Sequence, residues 1–281
     1  MSRIRFAYNT NGVANHRLDD ALRLIADAGY DGVALTLDHH HLDPLRQGWE
    51  RRAEELGRQL ETLRLGSVIE TGARFLLDPR AKHEPTLITA DPAGRAARVA
   101  FLKRAIDVAA LLRAEAMSFW AGVRKPGVDP GDAAAWLRDG VAAVLAYASE
   151  RGVTAALEPE PGMLVETLDD WRSLLADCPG LRLALDLGHC LVTGERAPAA
   201  AVGEFAPHIG TVAIEDMRRG VHVHLPFGEG DMDIPACLQA IQAIGFTGLV
   251  CVELSRESHR ADTMIPEALH WLQRYRERQP A

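Results

Sequence analysis

The feature that most constrains the fold of this chain is the regular alternation of strand-like and helix-like segments along its length. Eight short apolar runs, typical of buried strands, each precede a longer segment with helical periodicity. The predicted strands cover residues 4–9, 32–38, 66–72, 114–122, 153–158, 181–186, 209–216 and 248–254. The predicted helices cover residues 18–28, 49–63, 96–112, 132–151, 167–177, 198–205, 234–244 and 263–278.

Eight strand–helix units without a linker-like break predict an α/β fold, a (β/α)₈ TIM barrel, in a single domain over residues 1–281. The chain length agrees with this, since such barrels typically contain about 250 residues. An open, doubly wound sheet is the alternative. We disfavour it because the residues that follow the first strand, Asn9-Thr10-Asn11-Gly12, do not form a Gly-rich phosphate loop.

The charge balance and the cysteines narrow the range of partners and compartments. A formal net charge of −8 argues against sequence-independent binding to nucleic acid, which needs a basic surface. The four cysteines form no C-x-x-C pair, so we expect buried free thiols in a reducing compartment. The first residues lack the apolar core of a signal peptide, and no run of about 18 apolar residues could span a membrane. We therefore expect a cytoplasmic protein without nucleic-acid or membrane partners.

Carboxylates cluster at the predicted C-terminal ends of the strands, where the active sites of such barrels lie. The buried strand 181–186 ends in Asp186, and His189 follows three residues later. An unpaired buried carboxylate is costly, so a cation, an arginine or several donors should compensate Asp186. The other strand ends contribute six further carboxylates: Asp38, Glu70, Glu158, Glu215, Asp216 and Glu253. So many acids around one rim would repel one another strongly, which points to a metal-centred site.

Three histidines join this rim. His189 completes a D-x-x-H motif with Asp186, and His222 and His224 lie in the Gly-rich loop 220–230 after the seventh strand. In extended backbone an H-x-H pair projects both rings to the same side, a spacing suited to chelation. A chance pair of loop histidines is the alternative, but the neighbouring D-x-x-H favours a metal site.

Together these features resemble the xylose isomerase-like barrel superfamily, which includes sugar and sugar-phosphate isomerases and epimerases and the zinc-dependent endonuclease IV enzymes. The resemblance covers the whole chain. Glu158, in the run Ala-Ala-Leu-Glu-Pro, is similar to the family's fifth-strand metal ligand. Asp186 and Glu253 are similar to the sixth-strand and eighth-strand ligands, and segment 224–231 resembles the family's G-E-G turn.

The chain departs from the family on the seventh strand. Ala213 stands where the family usually has a histidine ligand, so the usual site is one ligand short, and Glu215, a water molecule or substrate could complete it. In the endonuclease-like branch, the D-x-x-H histidine and two loop residues bind a further zinc, which implies His189, His222 and His224 as ligands here. The resemblance thus implies one or two divalent ions per chain, Zn²⁺, Mn²⁺ or Mg²⁺.

By this resemblance the protein is a metal-dependent isomerase or epimerase of a sugar, keto-sugar or sugar phosphate. The reaction would be proton transfer through a metal-stabilised enediolate, with Glu158 and Glu253 as the acid–base pair. A keto-sugar lyase or hydratase, an endonuclease IV-type phosphoester hydrolase and a non-catalytic metabolite-binding barrel remain alternatives. The hydrolase is disfavoured because its relatives need further histidines, whereas Glu70 and Trp120 end the third and fourth strands. Barrels of this type often dimerise, so a homodimer is one expected assembly.

Several polar residues near the strand ends are candidates for substrate binding. The connection 71–91 exceeds the usual loop length and is predicted to form a lid. Its cations could hold a substrate phosphate or carboxylate, with plain surface charge as the alternative. The candidates are Arg74, Lys82, His83, Trp120, Glu160, Glu215 and Arg218. The run Asp38-His39-His40-His41 is expected to be a solvated turn, from which one ring could reach the site.

Overall fold

The computed structural model describes residues 3–277 of the 281-residue chain. Its strands are β1 (Arg5–Asn9), β2 (Gly32–Thr36), β3 (Gly66–Glu70), β4 (Met117–Phe119), β5 (Ala155–Leu157), β6 (Arg182–Asp186), β7 (Ile209–Ile214), β8 (Asp216–Arg218), β9 (Val221–Leu225) and β10 (Leu249–Val252). Its helices are α1 (Leu18–Ala28), α2 (Trp49–Leu63), α3 (Pro92–Leu112), α4 (Pro130–Arg151), α5 (Leu168–Asp177), α6 (Leu187–Thr193), α7 (Pro198–Phe205), α8 (Ile234–Ala243) and α9 (Ala261–Glu277). All sixteen predicted elements are present with bounds shifted by a few residues at most, and Arg278, the predicted end of α9, lies outside the described residues.

The barrel strands close into a ring in the order β1-β10-β7-β6-β5-β4-β3-β2, and every pair is parallel. Strand β1 pairs with β2 on one side and with β10 on the other, so this sheet has no free edge. The predicted (β/α)₈ barrel is therefore confirmed, and the open doubly wound alternative is wrong. The strands read as nearly continuous apolar runs because both of their faces are buried.

Alternation along each barrel strand determines which side chains reach the C-terminal rim. Small and medium-sized side chains form one buried cluster: Ala7, Ala34, Val68, Ala116, Leu249 and Cys251. The intervening residues of the same strands, such as Phe6 and Leu35, belong instead to the large core that includes the helices. Residues two positions further along project to the same side as the small cluster, as Glu70 does after Val68. Strand periodicity thus brings the polar strand ends to one rim.

Two short elements next to this rim differ from the prediction. Helix α6 begins directly after β6, and Asp186 is its N-cap, since one carboxylate oxygen accepts the backbone N–H of His189 at 3.0 Å. The predicted loop after β7 is an antiparallel hairpin of β8 and β9. Neither element is long enough to show a clear period in the sequence. Together they carry all three histidines of the predicted metal site.

The state of the cysteines agrees with the prediction from their spacing. Cys178, Cys190, Cys237 and Cys251 are all buried and free, as predicted. Burial raises the pKa of the Cys190 and Cys251 thiols, so neither is a ready nucleophile. Within residues 3–277, no helix has both the length and the apolar character needed to cross a bilayer.

Candidate active site

A cavity of about 530 Å³ opens at the C-terminal end of the barrel. This is the end at which (β/α)₈ barrels carry their active sites. Most of the predicted site residues line the cavity: Arg74, Lys82, His83, Trp120, Glu158, Glu160, His189, His222, His224 and Glu253. The sequence pattern at the strand ends therefore predicted correctly that these side chains lie around one cavity.

Three predicted site residues do not line this cavity. Asp186 and Glu215 are 2% and 0% exposed and lie behind the cavity wall. Glu215 is therefore not placed to contact a substrate, because it is covered and faces His224. Arg218 is exposed on β8, where the hairpin turns its side chain away from the cavity. The substrate-binding role predicted for Glu215 and Arg218 has no support in this geometry.

The three histidines converge at the cavity wall. His222 and His224 project from the same face of β9, and His189 approaches them from α6. The Nε2 atoms of His189 and His222 lie 3.1 Å apart. Two imidazoles on a tetrahedral zinc ion would have their nitrogens roughly 3.3 Å apart, given Zn–N bonds of about 2.0–2.1 Å. The Nδ1 atom of His189 lies 2.9 Å from the Pro159 carbonyl oxygen, so Nδ1–H donates there and Nε2 keeps its lone pair.

Partly buried carboxylates line the cavity. Burial, and then repulsion by Glu160, Asp186 and Glu253, raises the pKa of Glu158 well above its usual range. Burial and the charge of Glu253 raise the pKa of Glu70 to about 8. Carboxylates crowded in this way either carry protons at neutral pH or share a cation.

A second group of acids and bases lies at and behind the cavity wall. The pKa of Glu215 is raised to about 8, chiefly by burial and next by the charge of Asp186. Burial lowers the pKa of His224, but Glu253, Glu215 and Asp186 outweigh this effect and raise it to about 10. Burial also lowers the pKa of His222 to about 4, and the neighbouring His189 adds to this shift. The histidines therefore differ strongly in their affinity for protons.

The donors fit a divalent cation, and one of the two ligand sets expected from the sequence, His189 with His222 and His224, comes together. Three groups at or behind the cavity wall have ligand atoms within 4.8 Å of one another: His189–His222–His224, Glu158–Glu160–His189 and Asp186–Glu215–His224. Over the described range 3–277, the expected set of Glu158, Asp186 and Glu253 does not form such a group. Mixed imidazole and carboxylate donors suit Zn²⁺ or Mn²⁺.

Residues that the sequence reasoning missed also line the cavity. The Asn11 Nδ2 amide donates a hydrogen bond of 2.8 Å to Oε1 of Glu253. Thr36 donates its hydroxyl to the side-chain oxygen of Asn9, also at 2.8 Å, and Arg256 adds a cation after β10. The run Asn9-Thr10-Asn11-Gly12 was the available signal, because polar residues directly after β1 lie at the same rim as the carboxylates.

A buried arginine holds the connection 71–91 against the barrel. Arg98 of α3 is 2% exposed, and it donates to the carbonyl oxygens of Thr71 at 3.5 Å and His83 at 3.1 Å. Its guanidinium lies 4.3 Å from the centre of the Trp120 ring. The Trp120 ring in turn meets His83 edge-on, with 5.3 Å between the ring centres. Arg98 thus fixes two of the residues predicted to bind substrate.

The histidine-rich turn after β2 does not reach the cavity. Asp38 accepts the backbone N–H of His39 at 2.7 Å and lies 2.9 Å from its ring. The ring of His41 lies 3.3 Å from the His16 carbonyl oxygen. None of residues 38–41 lines the cavity, so the idea that one of these rings reaches the site is wrong. The turn is also less solvated than predicted, because Asp38 and His41 are buried and only His39 is exposed.

Comparison with known proteins identifies the family. The sequence profile of the xylose isomerase-like TIM barrel family matches residues 22–275. The chain belongs to this family. The L-ribulose-5-phosphate 3-epimerase UlaE of Shigella flexneri serotype 5b is 24% identical over 249 residues, which cover 85% of this chain and 82% of that protein. A solved L-ribulose 3-epimerase superposes with a TM-score of 0.78 at 20% identity, covering 98% of this chain and 96% of that one. The structure of the IOLI protein, solved with a zinc atom, superposes with a TM-score of 0.74 at 18% identity, covering 97% of this chain and 96% of that one.

Ala213, the position at which the family resemblance implies a histidine ligand, faces this site. Ala213 is the register partner of Asp186 in the pairing of β7 with β6. Its methyl group therefore lies beside a predicted metal ligand, at the place where the family usually has an imidazole. Glu215, two residues later, and His224 from the hairpin are the donors nearest to this gap.

Proposed function

We propose that this protein is a metal-dependent epimerase or isomerase of a keto-sugar or sugar phosphate. The observation that carries the proposal is that Glu158 and Glu253 share one polar cavity with donors for a divalent ion. Proton transfer next to a carbonyl needs this combination, an electrophile for the oxygens and acid–base groups for the carbon. The names of UlaE and of the solved L-ribulose 3-epimerase are consistent with this class of reaction.

A bound divalent ion would polarise the carbonyl and the neighbouring hydroxyl of the substrate and so acidify the adjacent C–H. In the proposed reaction one carboxylate takes this proton, and the C–H electron pair moves into the carbonyl to give an enediolate. The other group, a protonated carboxyl, returns a proton to carbon. Return to the same carbon on the opposite face gives an epimer. Return to the former carbonyl carbon, with transfer of the hydroxyl proton, gives an isomer.

The surroundings of the two carboxylates suit different roles. Burial and neighbouring charges raise the pKa of Glu158, which favours its protonated form and hence the role of acid. The Asn11 amide holds one oxygen of Glu253 at 2.8 Å, and a hydrogen-bonded, oriented carboxylate suits the role of base. We therefore propose that, in one direction of the reaction, Glu253 removes the proton from carbon and Glu158 donates a proton to carbon. In the reverse direction the two residues exchange roles.

The rim of the cavity favours an anionic substrate. Arg74, Lys82 and Arg256 line the cavity, and within residues 3–277 none of them forms an ion pair. These cations can bind a phosphate or carboxylate group of the substrate, while the carboxylates of the same cavity can bind its hydroxyl groups. We propose a phosphorylated or acidic keto-sugar as the substrate, packed against the ring of Trp120.

A substrate screen with isotope exchange tests the proposed function. Metal-stripped protein is reconstituted with Mn²⁺, Zn²⁺ or Mg²⁺ and given pentuloses and hexuloses, each with and without phosphate. In deuterated water, NMR is expected to show deuterium next to the carbonyl and the appearance of a stereoisomer or aldose. Loss of water or phosphate from the substrate would instead indicate a lyase or a hydrolase. The proposal fails if no combination shows exchange.

A further inference from the structure

Four ligand atoms at and behind the cavity wall are buried without hydrogen-bond partners. They are Oδ2 of Asp186, both carboxylate oxygens of Glu215 and Nδ1 of His224. In the described part of the chain, neither carboxylate forms an ion pair with a lysine or an arginine. The basic groups beside them are imidazoles, His189 at 3.5 Å from Asp186 and His224 at 3.8 Å from Glu215, which can either carry a proton or bind a metal ion. A buried carboxylate without a counter-ion is strongly unfavourable. The arrangement therefore calls for a cation among these atoms.

The sequence around β7 explains why these atoms meet. Ala213 and Glu215 are two residues apart, so they project to the same side of the chain, toward the partner strand residue Asp186. Alanine leaves free the space that a larger side chain at 213 would fill. The pairing of β8 with β9 then brings His224 beside Glu215, with 3.8 Å between Nδ1 and Oε2.

A glycine leaves room for the Glu215 carboxylate. A Cβ atom on Gly188 would lie 2.2 Å from Oε1 of Glu215 and 2.8 Å from the Met217 side chain. Gly188 is not among the glycines with positive φ, so close contact rather than backbone conformation requires glycine here. Any side chain at position 188 would therefore displace the Glu215 carboxylate from its present position.

We propose that Asp186, Glu215 and His224 form a divalent-metal site where β6 and β7 meet the β8–β9 hairpin. Their ligand atoms all lie within 4.8 Å of one another. Two carboxylates and one imidazole suit Mn²⁺ or Zn²⁺. Glu215 and His224 thereby compensate for the imidazole that Ala213 lacks. The catalytic use of this ion rests on the proposed function, whereas its binding does not.

His189 belongs to the three-histidine cluster and also lies next to the proposed site. Its Nε2 atom lies 3.5 Å from Oδ2 of Asp186 and 3.1 Å from Nε2 of His222. The two possible sites share His224 and differ in their other ligands, which are Asp186 and Glu215 in one and His189 and His222 in the other. Single substitutions can therefore separate them.

The test measures metal affinity rather than turnover. Metal-stripped protein is titrated with Co²⁺, whose visible absorption reports the ligand set, and with Mn²⁺ and Zn²⁺ by calorimetry. Glu215→Gln is the main variant, because glutamine keeps the shape and removes a buried charge, so the fold is retained. His222→Ala probes the three-histidine cluster. Glu229→Gln, at an exposed position in the turn after β9, makes the same change of charge as a matched control.

Glu215→Gln is expected to weaken Co²⁺ binding by roughly 10–100-fold and to change its spectrum. Glu229→Gln is expected to leave both the affinity and the spectrum unchanged. His222→Ala is expected to weaken Co²⁺ binding less than Glu215→Gln does. Full affinity in Glu215→Gln overturns the proposal. Full affinity there together with a large loss in His222→Ala would place the ion on the histidine cluster instead.

Two further readouts do not depend on removing a ligand or on turnover. Gly188→Ala keeps every donor and is expected to weaken metal binding by displacing the Glu215 carboxylate. Added metal should raise the wild-type midpoint of thermal unfolding, and Glu215→Gln should shrink that rise while stabilising the metal-free protein. Turnover on keto-sugars is assayed in parallel. If the protein turns over a keto-sugar but its metal affinity does not depend on Glu215, only the proposed metal site is contradicted. If the binding results are as expected but no keto-sugar is turned over, only the proposed function is contradicted.

Discussion

The Asn11 side-chain amide donates a 2.8 Å hydrogen bond to Oε1 of Glu253. This bond joins the turn after β1 to the residue that follows β10, at the place where these two strands close the barrel. Glu253 is one of the two carboxylates proposed to move protons. The closure of the barrel therefore also orients an acid–base group.

Asn11→Ala should lower kcat by about 10–100-fold and leave KM nearly unchanged, because a proton-transfer group that loses its orientation reacts less often from the bound complex. Steady-state kinetics on the substrate found in the screen measures both constants. Asn11→Gln, which keeps the amide on a longer side chain, is the comparison variant. A rise in KM with normal kcat would show that Asn11 contacts substrate rather than orienting Glu253.

Substitution of the two carboxylates should separate proton removal from proton return. In the direction in which Glu253 is the base, Glu253→Gln should abolish both deuterium exchange and product formation. Glu158→Gln should lose product formation by about 100-fold or more and retain exchange from the face of Glu253. NMR in deuterated water follows both events, and circular dichroism checks the fold. Normal rates in both variants would remove these residues from the mechanism.

The cations of the rim should act on the charged end of the substrate. Arg74→Gln, Lys82→Gln or Arg256→Gln should each raise KM for a phosphorylated or acidic keto-sugar about tenfold, because a charge-assisted hydrogen bond is lost. The values for the matching neutral sugar should change little. Arg218→Gln is the control, since Arg218 is exposed outside the cavity. Equal effects on charged and neutral sugars would contradict an anion site at the rim.

The metal-free protein should lose stability as pH rises from about 6.5 to 8. Glu70 has a pKa of about 8 against an ordinary 4.5, and His224 one of about 10 against 6.5. Both values are raised in the folded state, so the native protein holds more protons than the unfolded chain across this range, and unfolding becomes easier as pH increases. The lowered pKa of His222, about 4, acts only below this range.

Urea denaturation at several pH values within this window measures the trend. Glu70→Gln should make the slope shallower, since one of the groups that takes up a proton on folding is gone. Saturation with metal should also reduce the slope, because a bound cation replaces protons on the crowded donors. Stability that stays constant between pH 6.5 and 8 in the metal-free wild type would contradict the raised values.

Much of the rim could be predicted from the sequence because barrel strands are short, apolar and strictly alternating. Glu158, Asp186 and Glu253 each end such a run, and the fold brings those ends together. The missing histidine at position 213 could be recognised in the same way, because its place in the seventh strand follows from the strand period. These predictions needed only the period of a strand and the direction of parallel strands in a barrel.

The depth of each side chain could not be predicted in the same way. Glu215 is fully buried and Arg218, three residues later, is exposed, because the hairpin begins between them. Strand β8 has only three residues, too few to show a period. Arg98 illustrates a second limit. Its contacts with Thr71 and His83 depend on how α3 packs against the barrel, which spacing along the chain does not encode.

The β8–β9 hairpin carries two of the three histidines, yet its strands pair only with each other and not with the barrel ring. Changes in this ribbon leave every hydrogen bond of the closed sheet in place. If the proposed metal sites are correct, residues 221–225 can gain or lose imidazoles, and so change the preferred metal, while the strand pairing of the barrel stays the same. Asp216 and Met217 are buried, so the start of the hairpin does not share this freedom.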